Sequence, residues 1–465
     1  MTLGFSQLLC EIEGIVHEGL TPVVNGTRRA LQADANGEPF VAVDVEAAVE
    51  GVLVRIGAAV VDNLSAQVDA GRVRNQHACS CGGAYSLVKK RRRWLGFIFG
   101  AVHVNRAYFR CKRCGQTRVP LEHVWGLQQG VYAMGRRLLT PRAQEVLGTL
   151  CAALPYQEAR RHFNRLTALV VGPMMGWRVI QRLGAQLRQR VTGAQGEVPA
   201  AKGAVGGKGR GILRWFIGAD GVMVAFWKWG DRRRRDGDEQ GTTGDDKPRR
   251  RLVWMEVRVG MVGLLDMAGK IVRGSQWYVV SRMPVGKFRT LMRRVAQARG
   301  VRQIDVVAVV SDAANWIIAL WSRHFPWGTR ICDFYHAREH LTKAAIALYG
   351  ENSPQVERWA KRMARRLKRG EVSILLGDWA SITHKPVDAE AWRREVNYFR
   401  NHQDAMAYNR YQAENLPIGS GPVEGACKST VGSRFKRPGA RWSEEGFYNL
   451  APIRARYCSG VPIMP

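Results

Sequence analysis

The first seventy residues alternate apolar and acidic positions at helical spacing, as in VDVEAAVEGVLVRIGAAVVDNLSAQV, and predict one or two amphipathic helices. Such a segment (1–70) reads as a packed helical head, with a self-association surface as the alternative. A strand-like pattern follows in LGFIFG and VHVNRAYF, two apolar runs inside 71–125. From Thr140 the spacing is helical again, in TPRAQEVLGTLCAALPYQEARRHFNRLTAL and then VGPMMGWRVIQRLGAQLRQR. Thr140 before Pro141 predicts an N-cap with proline at the first helical position. Helices over 156–169 and from Pro173 onward complete a three-helix region, 126–200. It fits a helix-turn-helix and a plain helical linker equally well. The glycine-rich stretch beginning at Ala201 marks a boundary.

Beyond that boundary the period drops to two. ILRWFIGAD, GVMVAFWKW and RLVWMEVRVGMVGLLD predict three strands. The intervening GDRRRRDGDEQGTTGDDKPRRR (230–251) has no sizeable apolar side chain and reads as a mobile loop. SRMPVGKFRTLMRRVAQARG predicts a basic helix, IDVVAVVSD a buried central strand, ANWIIALWSRHF an amphipathic helix and TRICDFYH a last short strand. In this order the first three strands can form an antiparallel meander, with the later strands added beside the first. That is the layout of a ribonuclease H-like fold. The segment from HAREHLTKAAIALYG to WRREVNYFRNHQDAMAYNR is basic and helix-patterned. The predicted architecture is therefore α+β and multidomain: a ribonuclease H-like core (201–340 and 415–465) divided by an all-α insertion (341–414) and preceded by the head, a cysteine-bearing ribbon and the helical region.

Charge changes the picture. The 465 residues include 71 Lys+Arg against 39 Asp+Glu, a formal net charge of +32, which points to a polyanionic partner and first of all to nucleic acid. Residues 1–70 hold three basic side chains against ten acidic ones, so the head is not expected to touch the polyanion. A hydrophobic content of 46% is enough for real cores and excludes a mainly disordered chain. No run of about 18 uncharged apolar residues occurs, so no membrane partner is expected. The start, MTLGFSQLLCEIEGIVHEG, lacks the basic n-region of a signal peptide.

Nine cysteines are too few for a disulfide scaffold in a chain of this length, and four of them fall in two close pairs. Cys79 and Cys81 are one residue apart, Cys111 and Cys114 two, and each pair is followed by a glycine, Gly82 or Gly115. Glycine lets the chain turn back so that backbone amides face the sulfurs. Four thiolates on two turns joined by a hairpin is the logic of a zinc ribbon holding one structural Zn²⁺ in a reducing, cytoplasmic compartment. The CxC half is tighter than the usual spacer, which makes His77 a substitute ligand to consider. On the ribbon's first strand Lys89, Lys90, Arg91, Arg92 and Arg93 run up to Trp94, a candidate phosphate contact.

Three acidic residues carry the candidate catalysis. Asp220 is expected to close the first strand and Asp312 the fourth, where sheet-based sites lie, and two carboxylates on one edge would hold a divalent metal pair. Taken singly, Asp220-Gly221 is also a hairpin signal and Asp312 a helix N-cap. The third is Glu424 in NLPIGSGPVEGACKSTVGSRFKRPGARWSEEG, where Pro422 is expected to start a helix running to about Phe435. Lys428 follows one turn later, and Arg434, Lys436 and Arg437 are read as continuing the basic surface.

The segments GADG around Asp220, VVSDAANW around Asp312, CDFYHAREHL (332–341) and IGSGPVEGACK (418–428) resemble the signatures of bacterial insertion-sequence DDE transposases of the Kra/Lre type, relatives of the Mutator-like elements. The similarity runs from about Cys79 to Cys458 and takes in the four-cysteine ribbon. It implies that Asp220, Asp312 and Glu424 are a triad for two Mg²⁺ ions, and that His336, in an Asp-x-x-His element with Asp333, is an auxiliary near the scissile phosphate. It further implies hydrolysis at an element end, then attack of the freed 3′-hydroxyl on target DNA. The partners would be double-stranded DNA and a second copy of the chain, in the cytoplasm with the nucleoid. Two rivals fit the same residues: a ribonuclease H-like nuclease or resolvase, and a non-catalytic DNA-binding regulator descended from a transposase. An RNA-binding factor would use the same charge but lacks an aromatic stacking signature.

Overall fold

The computed structural model describes residues 2–32, 42–73, 78–124, 137–192, 198–201, 211–229, 250–382 and 385–464. It is an α+β protein with two mixed sheets, divided into two compact units, Met1–Leu183 with Met464 and Gly184–Ile463 with Pro465. Among the described residues no helix is long and apolar enough to cross a membrane.

In the first unit, helices α1 (Thr2–Gln32) and α2 (Ala42–Val73) pair through Leu8, Ile15, Val52 and Ala59, the apolar stripe of the acidic head. Strands β1 (Tyr85–Phe97) and β2 (Gly100–Cys111) form an antiparallel hairpin, β3 (Thr117–Arg118) adds to β2, and β4 (Arg137–Leu139) lies parallel on β1. The first predicted strand is corrected: β1 starts well before the run LGFIFG, at Tyr85, and stops inside it at Phe97, because Ile98 and Phe99 make the hairpin turn and every residue of β2 finds its partner between Tyr85 and Phe97. Val61 of α2 and Leu121 of α3 (Pro120–Val124) close a small core over Leu95, Val102, Val104 and Leu138. The head thus covers the ribbon end that the cysteines leave unsupported.

Helices α4 (Pro141–Ala153), α5 (Tyr156–Leu166) and α6 (Met175–Thr192) follow. Thr140 caps α4 by accepting from the Ala143 N–H, with Pro141 at the first position as predicted. α5 stops at Leu166, short of 169. There Thr167 turns extended, and the Asn164 side chain takes over hydrogen bonding, accepting from the Val171 N–H and donating to the Val171 carbonyl.

The second unit is built on β5 (Arg214–Trp229), β6 (Arg250–Leu264), β7 (Trp277–Ser281), β8 (Val306–Ser311) and β9 (Thr329–Cys332), in the order β7-β6-β5-β8-β9. The first three are an antiparallel meander, and β8 and β9 run parallel to β5 beside it. One expectation is corrected here: ILRWFIGAD and GVMVAFWKW are a single strand. Asp220 and Gly221 lie in its interior, opposite Val259 and Arg258, so Asp220 neither closes a strand nor makes a hairpin turn. The chain stays extended because fifteen successive positions from Trp215 to Trp229 pair with β6. The connection between β5 and β6, within the loop predicted over 230–251, lies outside the described residues for 230–249.

Alternation along β5 sorts its side chains. Trp215, Ile217 and Ala219 join Phe288, Met292 and Val295 of α7 (Val285–Arg299) and Ile317 and Leu320 of α8 (Asn315–His324) in one core. Phe216, Gly218 and Asp220 point to the opposite face. A basic helical block follows β9: α9 (Phe334–Tyr349), α10 (Gln355–Lys368), α11 (Val372–Ala380), α12 (Ala389–His402) and α13 (Tyr408–Ala413). The C-terminal stretch is α14 (Gly421–Ala426), a π-helical turn over Cys427–Gly432, α15 (Ser433–Phe435) and α16 (Glu444–Cys458). Phe447 of α16 meets Phe226 of β5 edge-on at 5.4 Å. TRICDFYH is only half strand: it ends at Cys332, because the Asp333 carboxylate accepts the Tyr335 and His336 amides and starts α9.

Candidate functional site

Asp220, Asp312, Asp333, His336, Glu339, Ser420 and Glu424 line one cavity of about 220 Å³ in the second unit. Sheet register explains why the first two meet. Gly218 of β5 pairs with Val310 of the parallel β8, so residues two further along each strand stand at the same height on the same face. Asp312 follows the last residue of β8, and Asp333 follows β9, both at carboxyl ends of parallel strands. Asp312 is not the cap of α8, whose N-cap is Ala314; its carboxylate instead accepts the Ala314 N–H at 3.0 Å. Between them Ala313 holds φ 71°, a left-handed value disfavoured for a residue with a Cβ.

Glu424 reaches the cavity because α14 lies close over β5. Val423 sits where a side chain at residue 218 would be: a Cβ built on Gly218 would come 3.2 Å from that of Val423. Asp333 ties the two halves of the site together. It is 2% exposed, accepts the Tyr335 and His336 amides through Oδ1, and accepts the Ser420 N–H through Oδ2 at 3.1 Å. The Ser420 hydroxyl lies between carboxylates, within hydrogen-bond reach of Asp333 Oδ2 and 2.9 Å from Glu424 Oε1. The Phe334 N–H donating to the Ile418 carbonyl at 2.9 Å clamps the same turn.

The electrostatics suit a cation. Burial pushes the Asp220 carboxyl above the ordinary range, and the charges of Asp312 and Glu424 push it the same way, against the Gly221 amide that favours ionisation. Cys427 lies 3.7 Å from Asp220 Oδ2, and burial with that carboxylate raises its thiol. The carboxylates share the cavity but do not crowd as the cysteines of the first unit do. Among the described residues only Cys79, Cys81, Cys111 and Cys114 form a group whose ligand atoms all lie within 4.8 Å of one another.

His336 sits in the first turn of α9. Its Nε2 is 3.2 Å from Nε2 of His340, whose Nδ1 is 2.6 Å from Glu395 of α12. A carboxylate can only accept, so His340 donates through Nδ1, and the series Glu395–His340–His336 ends on the cavity. His340 also stacks on Tyr398 at 3.6 Å. The i,i+4 spacing that lets the two histidines meet is visible in the chain, but Glu395, Asp333's tie to Ser420 and Cys427's approach to Asp220 are not read from sequence, since each crosses between distant segments.

The four cysteines of the first unit form a cluster that could hold a structural metal such as zinc. Cys79 and Cys114 sulfurs are 3.6 Å apart, as are those of Cys81 and Cys111. Zn–S bonds of about 2.3 Å at tetrahedral angles place sulfurs about 3.8 Å apart, whereas a disulfide needs about 2.05 Å. Both glycines after the pairs take left-handed backbone, Gly82 at φ 79° and Gly115 at φ 74°. The Cys81 amide holds the Cys79 thiol down to about 6, and the Cys114 amide lowers Cys111 likewise. His77 lies outside the described residues.

The predicted basic contacts separate. Lys89, Lys90, Arg91 and Arg92 are exposed and Arg93 half-buried, but strand alternation sends Lys89, Arg91 and Arg93 to one face and the other two to the opposite one. Arg91 lies over the Tyr108 ring at 5.4 Å. Lys428 and Lys436 are exposed and Arg437 half-buried. Arg434 is a correction: it is 3% exposed, with its guanidinium over Trp442, and does not belong to the surface. The short α15 turns it inward against the indole. No protein-family model matches the chain, and no curated protein matches its sequence.

Proposed function

We propose that this chain is a DNA transposase that cuts and joins strands at the ends of a mobile element. The observation that carries the reading is the convergence of Asp220, Asp312, Glu424 and His336 on one cavity, from four separate segments of the chain. The strand order, a three-stranded meander with two parallel strands beside its first member, supports a ribonuclease H-like core. The net charge of +32 supports a polyanionic substrate.

Asp220, Asp312 and Glu424 fit divalent ions: three carboxylates face one cavity, and partial burial together with the charges of the other two makes Asp220 harder to ionise. They would hold Mg²⁺, which when bound activates an attacking hydroxyl and neutralises the leaving oxygen. The chain's own part is to place and orient. Asp333 and Ser420 hold the first turn of α14, and with it Glu424, against the start of α9. His336, tied at Nε2 to His340 and lying 3.5 Å at Nδ1 from Glu339, would exchange one of these partners for a phosphate oxygen. No side chain is needed as a nucleophile, since water or a 3′-hydroxyl attacks. The four cysteines would hold one Zn²⁺, and two copies of the chain would hold paired ends.

The test is a cleavage and strand-transfer assay with Mg²⁺ on labelled duplex carrying the element's ends, comparing wild type with Asp312→Ala and Glu424→Gln. Cleaved and joined products, both lost in the variants by roughly a hundredfold or more, support the proposal. Cleavage without joining supports the nuclease reading instead. Binding without metal-dependent chemistry points to the regulator.

A further inference from the structure

We infer that the exposed face of α10 is a track for the sugar-phosphate backbone of duplex DNA, an inference that rests on the DNA reading above. Six cations, Arg358, Lys361, Arg362, Arg365, Lys368 and Arg369, are all exposed. At 100° per residue they fall within about a third of the helix circumference. The opposite side, Trp359, Met363 and Leu367, is buried in the protein. Among the described residues the only acidic partner on the stripe is Glu357, which pairs with Lys361 at 2.5 Å. Arg366, on the flank, is occupied by Glu371 and Asp378 instead.

This stripe is costly to the fold. Arg358 and Arg362, Lys361 and Arg365, and Arg365 and Arg369 are like charges one turn apart, and each such pair destabilises a helix. A solvated face without a partner mixes signs, as α12 does with Arg394 on Glu390. A polyanion would relieve the repulsion. From 358 to 369 the helix runs about 16 Å, the axial distance over which one DNA strand presents about five phosphates. An anionic membrane is the poorer match, because the apolar side of α10 is packed inward and has nothing to insert. The stripe reads no sequence: cations on phosphates position a duplex without specifying it.

The test measures binding of a labelled duplex of unrelated sequence by fluorescence anisotropy over a salt series, with the full chain. Arg362→Gln/Arg365→Gln/Arg369→Gln is compared with Lys270→Gln/Arg273→Gln/Arg323→Gln, an equal loss of charge at exposed positions off α10. The stripe variant is expected to bind about tenfold or more weakly near 0.1 M salt, with the slope of log K against log salt smaller by about 3. Its melting temperature is expected to be no lower than wild type, so that weak binding is not misfolding. Equal losses in the two variants overturn the inference while leaving DNA binding intact. An unchanged duplex affinity with lost affinity for single-stranded RNA overturns it in favour of an RNA track. No duplex binding by wild type at low salt overturns both it and the functional reading.

Discussion

Asp220 sits where its charged form is disfavoured. It is half-buried mid-strand, faces two other carboxylates, and receives in return the Gly221 amide at 2.6 Å and the Cys427 thiol at 3.7 Å. The sign of the resulting pH dependence follows from linkage. A carboxyl raised in the folded state binds its proton more tightly there than in the unfolded chain. The stability it confers is complete below the ordinary carboxylate value and lost as pH rises through the raised one. Asp220→Asn is therefore expected to melt higher than wild type in EDTA, by a margin that widens from acid toward neutral pH, while losing metal-dependent cleavage by about a hundredfold or more. Calorimetry across pH checks it; a variant less stable than wild type at neutral pH would contradict the electrostatic account. Of this site, sequence shows the residue types and their separation. It does not show that Asp220 sits inside a strand, because Asp-Gly is equally a turn signal until fifteen paired positions of β6 hold it extended.

The ribbon and the π-helical stretch differ in how far their geometry is set by neighbouring residues. Cys79 and Cys111 each accept the amide of their pair's second cysteine, and the left-handed glycines after each pair make those turns possible. The spacing of the cysteines and glycines foretells that geometry because it is local. Cys111→Ser is expected to lower bound zinc from about one per chain to near zero by metal analysis and to loosen the β1–β2 hairpin, since a structural site contributes folding energy directly. An unchanged metal content sinks the assignment. The helix after Ser420 is less legible. Its π turn over Cys427–Gly432 brings Cys427 to Asp220 and turns Arg434 inward, so a basic surface read along a regular helix loses one of its members.

In the first unit a core lies over the ribbon sheet, and in the second a core lies between the central sheet and α7 and α8. Heat is therefore expected to produce two transitions. A strong zinc chelator should lower only the transition of the first unit. Millimolar Mg²⁺ should raise only that of the second, by about RT ln(1 + [Mg²⁺]/Kd), and should do nothing to Asp220→Asn. Scanning calorimetry separates these outcomes, and a single transition moved by both metals would refute independent units.

Local or periodic features are legible in the residues alone: the helical head, the cysteine turns, the Thr140 cap, the strand within IDVVAVVSD and the excess positive charge. These follow from spacing, capping chemistry and composition, which act over a few residues. Tertiary structure decided what depends on partners far along the chain. The length of β5 came from its pairing with β6, and the fate of Arg434 from Trp442. The covering of the ribbon came from α2, and the hold of Asp333 on Ser420 spans 87 residues. Residue spacing cannot encode such contacts, because their energies exist only once the sheet has brought the segments together.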